Sequence, residues 1–167
     1  MTRQVFSRAL RRRGLSLDAC FCLQMPETYV AFPGFALDSP ENERRKTERA
    51  RADLPRMARL VAGRSRGVYE MIRGRFPVAK SYLLRPLFYG VLITDRRFRV
   101  TDDCIGCGKC VQACPLHNIS MADGHPEWRG NCTHCMSCYH RCPTNAVQFG
   151  SVTQGKGQYY FGHPTAQ

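Results

Sequence analysis

Apolar residues recur at positions 5, 6, 9 and 10, a helical spacing that predicts a helix over Thr2–Arg13 stopped by Gly14. The next apolar run, Leu15 to Met25, has the length of a strand and is bounded by turn residues. Ser39-Pro40 then supplies an N-cap followed by proline at the first helical position, so a helix is predicted from Pro40 to Ala62, with Gly63 as its stop. Residues 41–53 are charged all round, which leaves Leu54, Met57, Ala58 and Val61 as the face expected to be buried. Pro55 is expected to kink or interrupt that helix. From 64 to 100 arginines interleave with Tyr69, Phe76, Tyr82, Phe88, Tyr89 and Phe98, the pattern of a connector that packs its aromatics on neighbouring domains.

The last third of the chain reads differently. Phe98 to Thr101 and Ala146 to Phe149 suit two short strands lying side by side. Asp123-Gly124 is a hairpin signal and predicts pairing of Ile119 and Met121 with residues near Glu127 and Trp128. Short helices fit 108–113 and 136–141, and an irregular tail packed by its aromatics, Tyr159 and Tyr160, follows Ser151.

Cysteine changes the picture most. Cys104, Cys107, Cys110 and Cys114 are spaced C-x2-C-x2-C-x3-C and followed by Pro115. Cys132, Cys135, Cys138 and Cys142 repeat the spacing, followed by Pro143, starting 28 residues later. This spacing resembles that of bacterial two-cluster ferredoxins, where the fourth Cys of each run ligates the other 4Fe-4S cluster. The resemblance implies one cluster on Cys104, Cys107, Cys110 and Cys142, and a second on Cys132, Cys135, Cys138 and Cys114. Gly106 and Gly108 are expected to relieve crowding around the sulfur atoms. Crossed ligation would tie the two halves together, so that cluster loss unfolds the module. Zinc is the competing metal, since two C-x2-C pairs suit a zinc ribbon; the third Cys and the C-P ending, both repeated, do not belong to that pattern. Cys20 and Cys22 lie outside the repeat and read as small buried hydrophobes.

Charge is uneven. Residues 1–100 carry 21 Lys and Arg against 9 Asp and Glu, whereas residues 101–167 carry 4 against 4. Two oxidised clusters with four thiolates each would lower the net charge from +12 to about +8 and make the C-terminal part acidic. The longest apolar patch, Pro86 to Ile93, is far shorter than the roughly twenty residues of a membrane-spanning helix. No transmembrane segment and no secretory signal are expected, which argues against a disulfide framework and for the cytoplasm. Interleaved arginine and aromatic residues also suit an anionic membrane surface or a nucleic acid. Nucleic acid is not expected, membrane-surface contact is a lesser alternative, and nothing in the sequence sets an oligomeric state.

The order of parts carries a wider resemblance. Met25-Pro26-Glu27-Thr28-Tyr29, the first Cys run, Gly124-His125-Pro126-Glu127-Trp128 and Cys132-Thr133-His134-Cys135 resemble the EFR-type flavodoxin–ferredoxin fusion proteins. That family begins with a strand and a Ser/Thr/Gly-rich loop for the FMN phosphate, and this chain has no such loop. FMN is therefore not expected on this chain alone; the flavin-binding half is expected to be missing from it or supplied by a partner. The fold class expected is α+β, a two-cluster ferredoxin-like module preceded by an incomplete flavodoxin-like α/β segment. The domains are 1–65 (helix-strand-helix), 66–97 (basic aromatic connector), 98–150 (the 2x(4Fe-4S) module) and 151–167 (tail).

Function follows as an electron carrier passing single electrons through two 4Fe-4S clusters to or from a redox protein, expected to be a flavoprotein. No side chain is assigned catalytic acid–base work, so an electron-transfer protein is favoured over an enzyme. The alternatives are an electron-transfer subunit of a flavin-linked oxidoreductase and an iron-sulfur sensor or regulatory module. His117, His134 and His140 flank the cluster loops and are expected at the surface, and Lys109 is read as an exposed residue able to steer an acidic partner.

Overall fold

A computed structural model describes residues 2–72, 76–79, 81–82 and 85–161 of the chain. The chain divides into two compact units, residues 1–26 with 39–89, and residues 27–38 with 90–167. Among the described residues no helix is long and apolar enough to cross a membrane.

The first unit holds α1 (Thr2–Arg11), β1 (Ala19–Phe21), α2 (Pro40–Ala62), β2 (Val68–Glu70) and two single turns, α3 (Pro77–Ala79) and α4 (Arg85–Leu87). Strand β1 is only the middle of the apolar run, because its ladder partner β2 is three residues long. The pairing is parallel, Ala19 with Val68, Cys20 with Tyr69 and Phe21 with Glu70. A parallel pair needs a long crossover, and α2 is that crossover, making one β-α-β unit. Strand β2 lies inside the stretch expected to be a connector; three residues are too few to show a period of two. The Tyr69 hydroxyl donates to the Leu17 carbonyl at 2.9 Å, and the Arg3 guanidinium lies 4.3 Å from the Tyr69 ring centre.

Helix α2 starts and stops where its sequence caps predict. Ser39 Oγ accepts from the Asn42 N–H at 3.3 Å, and the Gly63 N–H donates to the Arg59 carbonyl at 2.9 Å. Pro55 does not interrupt it: both Pro55 and Arg51, whose carbonyl loses a donor, are on the exposed side. The buried face also differs from expectation. Ala50 and Met57 are buried, whereas Leu54 and Val61 are 53% and 62% exposed and Ala58 is exposed too. The rotation that turns Met57 inward also brings Arg56 to Glu70 of β2, with two hydrogen bonds of 2.6 and 2.7 Å. Phe76, Tyr82 and Tyr89 are exposed, with the Tyr89 ring 6.1 Å from that of Phe88 and 5.2 Å from the Arg85 guanidinium. Residues 73–75, 80 and 83–84 of the expected connector, and 162–167 of the tail, lie outside the described residues.

The second unit contains β3 (Phe98–Val100), α5 (Lys109–Gln112), β4 (Ile119–Ala122), β5 (His125–Trp128), α6 (Ser137–His140) and β6 (Val147–Phe149). Strands β3 and β6 are antiparallel, pairing Phe98 with Phe149 and Val100 with Val147. Strands β4 and β5 form the expected hairpin, Ile119 opposite Trp128 and Met121 opposite Pro126. Its turn, Asp123-Gly124, has φ of 48° and 79°, the two left-handed residues of a type I′ turn. The core gathers Val30, Ala31, Phe98, Cys110, Ile119, Met136, Cys138, Tyr139, Val147 and Phe149. Two segments without regular structure complete it. Lys156 Nζ donates to the carbonyls of Val30, Phe32 and Phe35 at 2.8–2.9 Å, and Tyr159 is buried.

Candidate metal centre

The backbone of the two cysteine loops takes the same unusual conformations at the same offsets. Positive φ occurs at Gly106 and His134, at Gly108 and Met136, and at His117 and Asn145, each pair 28 residues apart. The first two in each loop turn the chain sharply between cysteines, and the last of the C-x2-C-x2-C triplet then sits on a short helix, Cys110 on α5 and Cys138 on α6. The glycines have separate reasons. A Cβ on Gly106 would lie 3.0 Å from the Gly124 carbonyl oxygen in the β4–β5 turn. Gly108 lines the first cavity, where no protein atom comes within 4 Å of such a Cβ, and its φ of 69° is left-handed.

Two cavities result. Cys104, Cys107, Cys110 and Cys142 line the first, a hollow of about 20 Å³ open to solvent. Cys114, Cys132, Cys135 and Cys138 line the second, also of about 20 Å³. Three cysteines of each set come from one loop and the fourth from the other. The β4–β5 hairpin serves both, presenting Met121 and Pro126 to the first cavity and Ile119 and Trp128 to the second. Among the described residues no three Cys, His, Asp or Glu side chains converge on a single-ion position.

Burial grades the sulfurs. Cys107 and Cys135 are exposed, Cys110 and Cys138 buried, and Cys104, Cys114, Cys132 and Cys142 half-buried. Burial pushes the Cys138 thiol up to about 12, with the charges of Cys132 and Cys135 adding to the effect. Burial also raises Cys110, where Cys142 and Cys107 contribute, and Cys132, where Asp95, Cys135 and Cys114 contribute. Metal binding to such thiols releases their protons. Backbone N–H groups already point at sulfur: Asn118 N–H to Cys114 Sγ and His134 N–H to Cys132 Sγ, both at 3.3 Å.

The histidines correct the sequence reading. His117 is exposed as expected, but His134 and His140 are only 4% and 5% exposed. His134 Nε2 lies 2.6 Å from the Thr94 carbonyl oxygen and 3.1 Å from the Thr94 nitrogen, and Nδ1 lies 3.2 Å from the Tyr29 hydroxyl, so the ring bridges Thr94 and Tyr29. His140 donates from Nε2 to the Thr28 carbonyl at 2.7 Å and accepts at Nδ1 from the Tyr159 N–H at 3.1 Å. Burial lowers the His140 pKa, holding the ring neutral. Both rings are staples between distant backbone segments. Lys109 is exposed on the rim of the first cavity, while Cys20 and Cys22 are half-buried in the other unit.

Sequence reasoning missed a buried polar clamp beside the second cavity. Asp95 accepts from Asn118 Nδ2 at 2.9 Å and from the Gly130 N–H at 2.6 Å, and Asn118 Oδ1 accepts from the Asn131 N–H at 2.6 Å. The run Gly130-Asn131 before Cys132, a loop-forming pair, is the local signal that could have found it.

Residues 98–147 match the family described as the 4Fe-4S dicluster domain. The chain is 35% identical over 65 residues to a formate dehydrogenase iron-sulfur subunit of Haemophilus influenzae, spanning 34% of this chain and 20% of that protein. It is 34% identical over 61 residues to an uncharacterized ferredoxin of Methanocaldococcus jannaschii, spanning 34% of this chain and 73% of that protein. The chain belongs to the 4Fe-4S dicluster ferredoxins. No solved structure matches it.

The residues of this dicluster domain fit the group its family name implies. Thiolates are the ligands of iron-sulfur clusters, four to each cubane, and each cavity offers four cysteines around a common space. A buried donor adds to the fit. The indole nitrogen of Trp128, in the lining of the second cavity, is a buried side-chain polar atom without a hydrogen-bond partner. An acceptor inside that cavity would satisfy it.

Proposed function

We propose that the chain is an iron-sulfur electron carrier with two 4Fe-4S clusters, one held by Cys104, Cys107, Cys110 and Cys142 and the other by Cys132, Cys135, Cys138 and Cys114. The observation that carries this reading is the pair of four-cysteine cavities, each taking its fourth cysteine from the other loop. When bound, such clusters accept and release single electrons at potentials tuned by hydrogen bonds to sulfur and by solvent exposure. The chain's own part is to hold and shield. Phe98, Ile119, Met136 and Val147 keep water from the inner side, and the exposed Cys107 and Cys135 mark where each site comes nearest to a partner.

The partner proposed is a redox protein, a flavoprotein by the resemblance of Met25-Pro26-Glu27-Thr28-Tyr29 and the cysteine motifs to flavodoxin–ferredoxin fusions. FMN is not assigned to this chain, and the cytoplasm is the proposed compartment. A second reading, an electron-transfer subunit of a larger oxidoreductase, is favoured by the similarity to a formate dehydrogenase iron-sulfur subunit.

Anaerobic purification tests the reading. About eight iron and eight sulfide per chain, with a broad brown absorption that bleaches on reduction, is the expected result. Colourless protein carrying zinc would overturn it.

A further inference from the structure

The two cavities share one hairpin but not one chemistry. On β5 the side chain offered to the first cavity is Pro126 and that offered to the second is Trp128, two residues on and on the same face of the strand. Opposite them on β4 stand Met121 and Ile119, both apolar. Proline brings no donor. Tryptophan brings one N–H, and here that nitrogen is buried and without a hydrogen-bond partner.

The indole cannot turn away to find another partner. Its ring stacks on Phe98 with centroids 5.3 Å apart and planes 11° from parallel, and Phe98 is held in turn by Phe149 at 5.0 Å. The polar side chain of Asn118, near the same cavity, is already bound to Asp95 and to the Asn131 N–H. Cys138, in the same cavity lining, is the side chain the indole N–H approaches, outside full hydrogen-bond geometry. In the first cavity the comparable side-chain contact is the Thr144 hydroxyl, 3.8 Å from Cys142 Sγ, and Lys109 on the rim is exposed.

We propose that Trp128 donates its indole N–H to anionic sulfur in the second cavity and thereby makes that site the more oxidising of the two. The inference rests on the two-cluster reading above. One-electron reduction adds one negative charge to a site already anionic, and a fixed donor aimed at sulfur stabilises the reduced form more than the oxidised form. Leaving a buried donor unpaired has a cost that binding would remove, so the same contact favours loading of the second cavity. The sites are then unequal, and the electron rests on the cluster held by Cys114, Cys132, Cys135 and Cys138. Trp128 is a positioning and tuning residue; it transfers no proton.

Trp128 is the single tryptophan of the chain, which makes the test clean. Full-length protein is prepared anaerobically in three forms: unchanged, Trp128→Phe, and with tryptophan replaced throughout by its benzothiophene analogue, which keeps the shape and loses the N–H. Iron is counted first, and about eight per chain in the unchanged protein separates this test from failure of the two-cluster reading. Redox titration followed by electron paramagnetic resonance then reads each site. The expected result is that one midpoint potential shifts downward in both altered proteins while the other stays in place. Two unmoved potentials, or two that move together by the same amount, would overturn the proposal. The analogue keeps the proposal open to refutation even where Trp128→Phe loosens the fold.

Discussion

His140 donates a hydrogen bond from Nε2 to the carbonyl of Thr28, 2.7 Å away in space and 112 positions earlier in the chain. Its other ring nitrogen accepts from the Tyr159 N–H. One neutral, buried side chain between two cysteines of the second motif thus ties down a loop from the first third of the sequence and a segment near its end.

Replacing His140 with Phe keeps an aromatic ring and removes the bonds to the Thr28 carbonyl and the Tyr159 N–H. The expected loss is about 2–6 kcal/mol, at about 1–3 kcal/mol for each of the two groups that lose the bond. Chemical denaturation of the iron-loaded protein measures it, and faster proteolysis within residues 27–38 is the accompanying sign. Unchanged stability would show that these bonds do not hold the loop.

Gly106 and Gly108 separate two reasons for glycine. Both need a left-handed backbone, which disfavours an L-residue by roughly 1–2 kcal/mol. Gly106→Ala also brings a methyl to 3.0 Å from the Gly124 carbonyl oxygen, whereas Gly108→Ala meets no protein atom within 4 Å. Gly106→Ala is expected to be the more destabilising, with melting temperatures measured at equal iron content. Equal effects would mean the hairpin turn gives way at no cost.

The shared cavities make a prediction about the wrong motif. Cys142 belongs to the second run but lines the cavity of the first, and Cys114 does the reverse. Cys142→Ala is expected to disturb the cluster held by Cys104, Cys107 and Cys110 and to leave the other spectroscopically unchanged; Cys114→Ala is expected to do the opposite. Pairing each variant with Trp128→Phe identifies the affected site by electron paramagnetic resonance. An effect confined to each cysteine's own run would contradict the crossed arrangement.

Local chemistry makes much of this fold legible. Asp123-Gly124 announces the hairpin, Ser39-Pro40 and Gly63 bound α2, and the cysteine spacing locates both loops and both short helices. What is not legible depends on partners far away. His134 and His140 look like surface residues until Thr94, Tyr29, Thr28 and Tyr159 are brought beside them. Strand β2 is too short to carry a period, and it exists through β1. Helix α2 buries Ala50 and Met57 rather than its densest apolar stripe, because the packing of the unit sets the rotation of the helix. In the sequence Trp128 is only a strand residue; that it lines the second cavity needs the register of β4 on β5.

Anomalous diffraction at the iron edge, from crystals of the anaerobically purified chain, reads the two crossed clusters without intermediaries. Two separate iron maxima are expected, one enclosed by Cys104, Cys107, Cys110 and Cys142 and one by Cys114, Cys132, Cys135 and Cys138, each with four sulfur ligands. Iron in a single cavity, or a lone metal ion bound to one C-x2-C pair, would contradict the two-cluster reading.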